Sequence, residues 1–147
     1  MILALDLEHT LISSAVSCFI RPHLNDFIEW SVENFDEVVL FTTVSSDRVK
    51  DIQNKFYQMG DTNKLFQELR CVEWPRTGLK DLSFVSTKWK NVVMVDDLPE
   101  AYAIETQRSQ WIEIKPFDPS LPDTELLKVK NKLIKRLSLG AKSTLNS

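Results

Sequence analysis

At 147 residues, 43% hydrophobic and 27% charged, the chain has the composition of one soluble globular domain. Its net charge of −3 gives no footprint for sequence-specific nucleic-acid binding, and Cys18 and Cys71 form no C-x-x-C pair, so they read as free thiols of a cytoplasmic protein. The opening run of residues 1–5 is too short for a signal peptide, and no apolar run reaches the length of a membrane span.

Residues 2–6 read as a short buried strand, apolar throughout and ending in Asp6. Residues 16–20 read as a second short strand or as part of a flap. Pro22 suits a first helical position, and Leu24, Phe27, Ile28, Ser31 and Phe35 follow at helical spacing, which predicts a helix over 22–34. Val38 to Phe41 form another apolar strand, ending at Thr42 and Thr43. Ser45 or Ser46 caps the next helix, whose stripe is Val49, Ile52, Phe56 and Met59 and whose end is Gly60. Arg70 to Trp74 read as a strand, Pro75 to Gly78 as a turn and Lys80 to Val85 as a short helix. Val92 to Asp96 are the third strong strand, Pro99 to Ala103 start a helix, and Trp111 to Ile114 are a further strand. Pro122 opens a last helix with Asp123 and Glu125 near its N-terminus and Leu126, Leu127, Ile134 and Leu137 on its buried face. Residues 1–138 are expected to form the domain, with 139–147 a flexible tail.

Strands alternating with helices predict an α/β fold around a mainly parallel sheet. In such sheets ligands bind beyond the C-terminal ends of the strands. Three strand ends here carry Asp6, Thr42 and Asp96, so the polar residues fall where a site is expected. Asp6, Asp96 and Asp97 are hard oxygen donors of the kind magnesium takes. Thr42 offers a hydroxyl and a backbone N–H to a phosphoryl oxygen, and Lys80 offers a cation. An aspartate that attacks phosphorus must be deprotonated and close to positive charge, and a second acid is needed to protonate the leaving oxygen and activate water.

Four motifs in order carry a resemblance. They are Asp6-Leu7-Glu8-His9-Thr10-Leu11, Phe41-Thr42-Thr43-Val44, Lys80-Asp81-Leu82-Ser83 and Val95-Asp96-Asp97-Leu98-Pro99, supported by Arg21-Pro22-His23 and by Ile114-Lys115-Pro116-Phe117. The chain resembles the haloacid dehalogenase (HAD) superfamily of phosphohydrolases, and within it the FCP/SCP group of small phosphatases related to those acting on the RNA polymerase II carboxy-terminal domain. The resemblance covers roughly residues 1–138 and implies a three-layer α/β/α fold. The segments after Asp6 and Thr42 are short and leave no room for a large cap domain, so an open site is expected.

By that resemblance Asp6 is the nucleophile that becomes an aspartyl-phosphate, and also a magnesium ligand. Glu8 occupies the acid/base position and gives a backbone carbonyl to magnesium. Thr42, Thr43 and Lys80 hold the phosphoryl group, and Asp96 and Asp97 hold the metal. The implied activity is a magnesium-dependent phosphomonoesterase acting on a phosphoprotein, a nucleic-acid end or a small phosphate ester. The group has Asp where this chain has Glu8, and Gly where it has His23. A second reading follows from Glu8: a slow phosphatase, or a pseudophosphatase that binds magnesium and phosphate without turnover. A receiver-like signalling domain is disfavoured, because receivers place the acidic pair before the phosphorylated Asp, and here the pair comes last.

Overall fold

The computed structural model describes residues 1–145. Five strands form one parallel sheet: β1 (Ile2–Leu5), β2 (Glu37–Leu40), β3 (Arg70–Cys71), β4 (Val92–Asp96) and β5 (Trp111–Glu113), in the order β3-β2-β1-β4-β5. The helices are α1 (Leu24–Asn34), α2 (Ser46–Gln58), α3 (Lys64–Gln67), α4 (Pro99–Tyr102) and α5 (Glu125–Leu145). Among the described residues no helix is long and apolar enough to cross a membrane.

The handedness of the crossovers dictates the layers. From β1 the chain steps outward through β2 to β3, then returns to β4 on the other flank of β1 and steps out to β5. Right-handed connections in opposite directions must cover opposite faces. Accordingly Leu3, Leu5, Val93 and Val95 pack on one face with residues of α1, α2 and α5. Ala4, Val39, Phe41, Val92 and Met94 pack on the other with Trp74 and Leu82, and with Trp89 and Tyr102 alongside. Both faces of the central strands are buried, which explains their unbroken apolar runs. The second layer is thin, made of α4 and of 3-10 turns at Leu82–Phe84, Trp89–Asn91 and Glu105–Gln110.

The order reverses between β1 and β4. The register places Leu5 beside both Leu40 and Val95, so the three central strands end level. Asp6, Thr42 and Asp96 therefore emerge around the crevice at the switch of strand order, where open α/β sheets bind ligands.

Several boundaries differ from the sequence expectation for physical reasons. The first helix begins at Leu24, not Pro22, because His23 is left-handed (φ 73°) and cannot join a right-handed turn. Residues 16–20 form no strand; single bridges join Glu8 to Ile12 and Ile12 to Ile20, and the segment is a flap. Only Arg70 and Cys71 pair as strand, because the Trp74 indole turns back to the Thr42 carbonyl. The segment after Lys80 is a 3-10 turn in which Asp81 accepts from the Ser83 amide. The last helix begins at Glu125, with Asp123 accepting its amide. Its buried face is Leu126, Val129 and Leu133, while Leu127 and Ile134 are each 42% exposed. It also continues to Leu145, past Leu139, where the sequence suggested a tail. Arg136 donates to the Ser109 carbonyl, and a Cβ at Gly140 would lie 3.6 Å from the Met1 methyl, so the helix is held to the fold as far as Gly140. Residues 146–147 of that tail lie outside the described residues.

Candidate active site

Asp6 follows β1 directly and is tied to β4 by its amide, which donates to the Val95 carbonyl at 3.0 Å. Both carboxylate oxygens are engaged. Oδ1 accepts from Lys80 Nζ at 3.0 Å, and Oδ2 accepts from the Thr10 hydroxyl at 3.1 Å. These two bonds fix the rotation of the carboxylate. Thr10 lies in the tight turn after β1, where the Leu11 and Ile12 amides both donate to the Leu7 carbonyl.

Lys80 is the centre of the cluster. Its Nζ donates to Asp6 and also, at 2.6 Å, to Asp96 Oδ2. The ammonium lies 4.9 Å from the Tyr102 ring and 6.0 Å from the Phe41 ring, and the side chain is buried. Asp96 spends its other oxygen on the Leu98 amide, at 2.8 Å. Carboxylate oxygens of Asp6, Asp96 and Asp97 all lie within 4.8 Å of one another. At magnesium–oxygen distances of about 2.1 Å, ligand oxygens sit roughly 3 Å apart at neighbouring positions and roughly 4 Å apart at opposite ones. The hard oxygen donors suit such an ion, and oxygens within 4.8 Å of one another need only a small side-chain movement to close on it.

The electrostatics point the same way. Burial pushes the Asp6 carboxyl up to about 8; the Lys80 ammonium opposes the shift, and Asp96 and Asp97 add to it. Burial also raises Asp97. Burial alone would lower Lys80, but Asp6 and Asp96 outweigh it and hold the ammonium above the usual lysine range. Three carboxylates around one ammonium leave an excess of negative charge that a proton or a divalent cation must balance.

Thr42 is buried at the end of β2. Its hydroxyl accepts from the Val44 amide at 3.1 Å, and its carbonyl accepts from the Trp74 indole at 2.8 Å. Trp74 stands edge-on to Phe41, with ring centres 5.2 Å apart, so it is a prop for this strand end and not a substrate platform. Thr43 is exposed beside it.

Glu8 is half-buried and its carboxylate lies outside the Asp6–Asp96–Asp97 cluster. Its Oε2 accepts from the Ala15 amide of the flap at 2.7 Å, and the Ala15 carbonyl accepts from Arg48 of α2 at 2.5 Å. The longer side chain thus latches the flap, and Arg48 ties the same point to α2. Val16, at the flap tip, is 91% exposed.

Two residues with structural consequence were not legible as such. Arg21 is fully buried and donates to both oxygens of Asp123, to the His9 and Thr10 carbonyls and to the Lys115 carbonyl. Its only sequence signal was the Arg-Pro pair before a helix. Arg76 reads as a solvated loop residue, yet it donates to the Val44 and Trp74 carbonyls and to the Ser46 hydroxyl, pinning the loop after Thr42.

The model of the NLI interacting factor-like phosphatases matches residues 1–144. The chain belongs to this family. The ubiquitin-like domain-containing CTD phosphatase 1 of Xenopus tropicalis is 27% identical over 173 residues, covering 99% of this chain and 52% of that protein. The human protein of the same name is 27% identical over 156 residues, covering 87% of this chain and 47% of its own length. The chain thus spans about half the length of these curated relatives. Among solved structures, the fission yeast RNA polymerase II CTD phosphatase Fcp1 bound to beryllium fluoride matches with a TM-score of 0.57 at 15% identity, over 93% of this chain and 50% of that one. At that identity the match speaks for the fold alone, a parallel α/β sheet; the family match and the named relatives together support an FCP/SCP phosphatase of the HAD type.

Proposed function

We propose that the chain is a magnesium-dependent phosphomonoesterase working through an aspartyl-phosphate on Asp6. The observation that carries this reading is the buried Lys80 ammonium bonded to both Asp6 and Asp96, beside Asp97, at the switch point of the sheet. Asp6, Asp96, Asp97 and the Glu8 backbone carbonyl would hold the ion. When bound, it neutralises the carboxylates and the phosphoryl oxygens and keeps Asp6 ionised.

This chain's residues then act in sequence. Lys80, Thr42 and Thr43 hold the phosphoryl group. The Thr10 and Lys80 hydrogen bonds aim the Asp6 carboxylate. Asp6 attacks phosphorus, the bond to the leaving oxygen breaks, and that oxygen takes a proton from Glu8. Water then attacks the phosphorus and gives a proton back to Glu8. The bond from Asp6 to phosphorus breaks, freeing inorganic phosphate.

The relatives carry CTD phosphatase in their names, and the Fcp1 structure is of an RNA polymerase II CTD phosphatase. A phosphorylated protein segment is therefore the preferred substrate over a nucleic-acid end or a small phosphate ester. The exposed flap leaves the approach open to such a segment. Both cysteines are free thiols, which supports a reducing, cytoplasmic setting.

One observation favours the second reading, a slow phosphatase or pseudophosphatase. Glu8 is engaged with Ala15 and must leave it to exchange protons with substrate. Phosphate release from an aryl phosphate, with and without magnesium, decides between them. The parent is expected to turn over only with magnesium, and Asp6→Asn not at all. An inert parent that becomes active as Glu8→Asp establishes the second reading, and an active Asp6→Asn overturns the mechanism.

A further inference from the structure

Away from the carboxylate cluster, a cavity of about 420 Å³ opens between β5 and α5. Arg108, Lys132, Lys135 and Arg136 line it together with Trp111, and Glu113 is the single carboxylate in its lining. This concentration of positive charge stands out in a chain whose net charge is −3. Lys132, Lys135 and Arg136 follow one face of α5 at i, i+3 and i+4. Arg108 is paired with Glu100 at 3.1 Å between exposed side chains, an exchangeable contact. Arg136 gives one N–H to the Ser109 carbonyl. Among the described residues, neither Lys132 nor Lys135 has an ion-pair partner.

Trp111, 3% exposed, also lines this cavity, so its indole reports on what enters it. We propose that this groove binds an extended acidic polypeptide segment, whose carboxylates or phosphates pair with the four cations.

The geometry fits that occupant. Lys132 and Arg136 are four residues apart, roughly 6 Å along the helix axis. In an extended chain, side chains on the same side recur about every 6.6 Å, so alternate acidic residues match the cation spacing. A lone anion engages only part of the row. Single-stranded nucleic acid needs exposed rings for base stacking, and the Trp111 ring is buried. Glu113 of the lining pairs in register with Asp96, so β5 connects the groove to the strand that ends in the proposed catalytic site. That a segment seated there belongs to the substrate rests on the phosphatase reading, whereas the binding itself does not.

The test is a titration of the ¹⁵N-labelled chain with a hexaglutamate peptide, followed by the indole N–H signals. Trp111 is assigned by its loss in Trp111→Phe. Its signal is expected to move saturably, and Lys132→Glu/Lys135→Glu is expected to weaken binding at least 10-fold. The indoles of Trp30, Trp74 and Trp89 report that the variant is folded. Both lysines are exposed and, among the described residues, make no ion pair, so the fold should hold. An unmoved Trp111 signal overturns the proposal, as does equal affinity in the double variant. It is also overturned if inorganic phosphate or a six-residue uridine oligonucleotide binds as tightly as the peptide. No turnover is required, so an inactive enzyme leaves the test intact.

Discussion

Removing the buried guanidinium of Arg21 should cost far more than an ordinary surface change. Arg21→Met keeps most of the apolar stem but strips every donor. Asp123 Oδ2, 3.0 Å from the guanidinium in a side chain only 7% exposed, loses its ion pair. The carbonyls of His9, Thr10 and Lys115 lose their donors at 3.0, 3.2 and 2.6 Å. Breaking a buried pair from one side typically costs about 3–5 kcal/mol. Against a total stability of roughly 5–15 kcal/mol for a domain, that is a large fraction. With a urea m-value of about 2 kcal/mol per molar, the unfolding midpoint should fall by about 2 M. Urea unfolding followed by tryptophan fluorescence measures it. Because much of the loss is the uncompensated Asp123 charge, Arg21→Met/Asp123→Leu should recover about 1–2 kcal/mol relative to the single variant. A single variant that loses under about 1 kcal/mol, or a double variant no better than the single, refutes the reasoning.

Other predictions concern the turn and the site. His23→Gly should stabilise the chain by about 0.5–1 kcal/mol, since φ 73° is strained for histidine and free for glycine; an unchanged or lower melting temperature contradicts this. Glu8→Asp shortens the side chain by about 1.5 Å, so the bond to Ala15 is lost while the family's acid/base length is restored. On the slow-enzyme reading kcat should rise by up to ~100-fold, the penalty of about 1 Å of misplacement, and a fall in kcat instead assigns Glu8 the working role in its present length. For metal-free protein the sign follows from the raised Asp6 pKa. Its contribution to stability is complete below the unfolded carboxylate range and is lost as pH rises through about 8. Magnesium competes with the same proton, so its affinity should climb toward tenfold per pH unit below about pH 8 and level off above. Calorimetry in buffers of different ionisation enthalpy should detect about one proton released per ion at pH 7, and no release contradicts the assignment.

The central strands were legible because burial on both faces writes itself as an unbroken apolar run, and the polar residues at their ends are the ones that meet at the switch of strand order. Asp6, Asp96, Asp97 and Lys80, far apart in sequence, do converge in space. What sequence hid was tertiary. The sequence put Leu127 and Ile134 on the buried face of the last helix, whereas Val129 and Leu133 are the residues that join the core cluster. Arg21 looked like a helix flank because its partners, Asp123 and Lys115, come from the far end of the chain. The bond from Glu8 to Ala15 depends on a flap with no repeating pattern, so the position of that carboxylate could not be read. Likewise Lys132, Lys135 and Arg136 share one cavity with Arg108 and Trp111, a grouping that no spacing along the chain shows.

The account stands on Asp6 as nucleophile. Acid quench during turnover of an aryl phosphate in the presence of magnesium, followed by digestion and mass spectrometry, tests this directly. The account predicts one added phosphoryl group on the peptide carrying Asp6, absent in Asp6→Asn and in magnesium-free samples. Turnover without any phosphorylated Asp6 peptide, or the same modification at another residue, contradicts it.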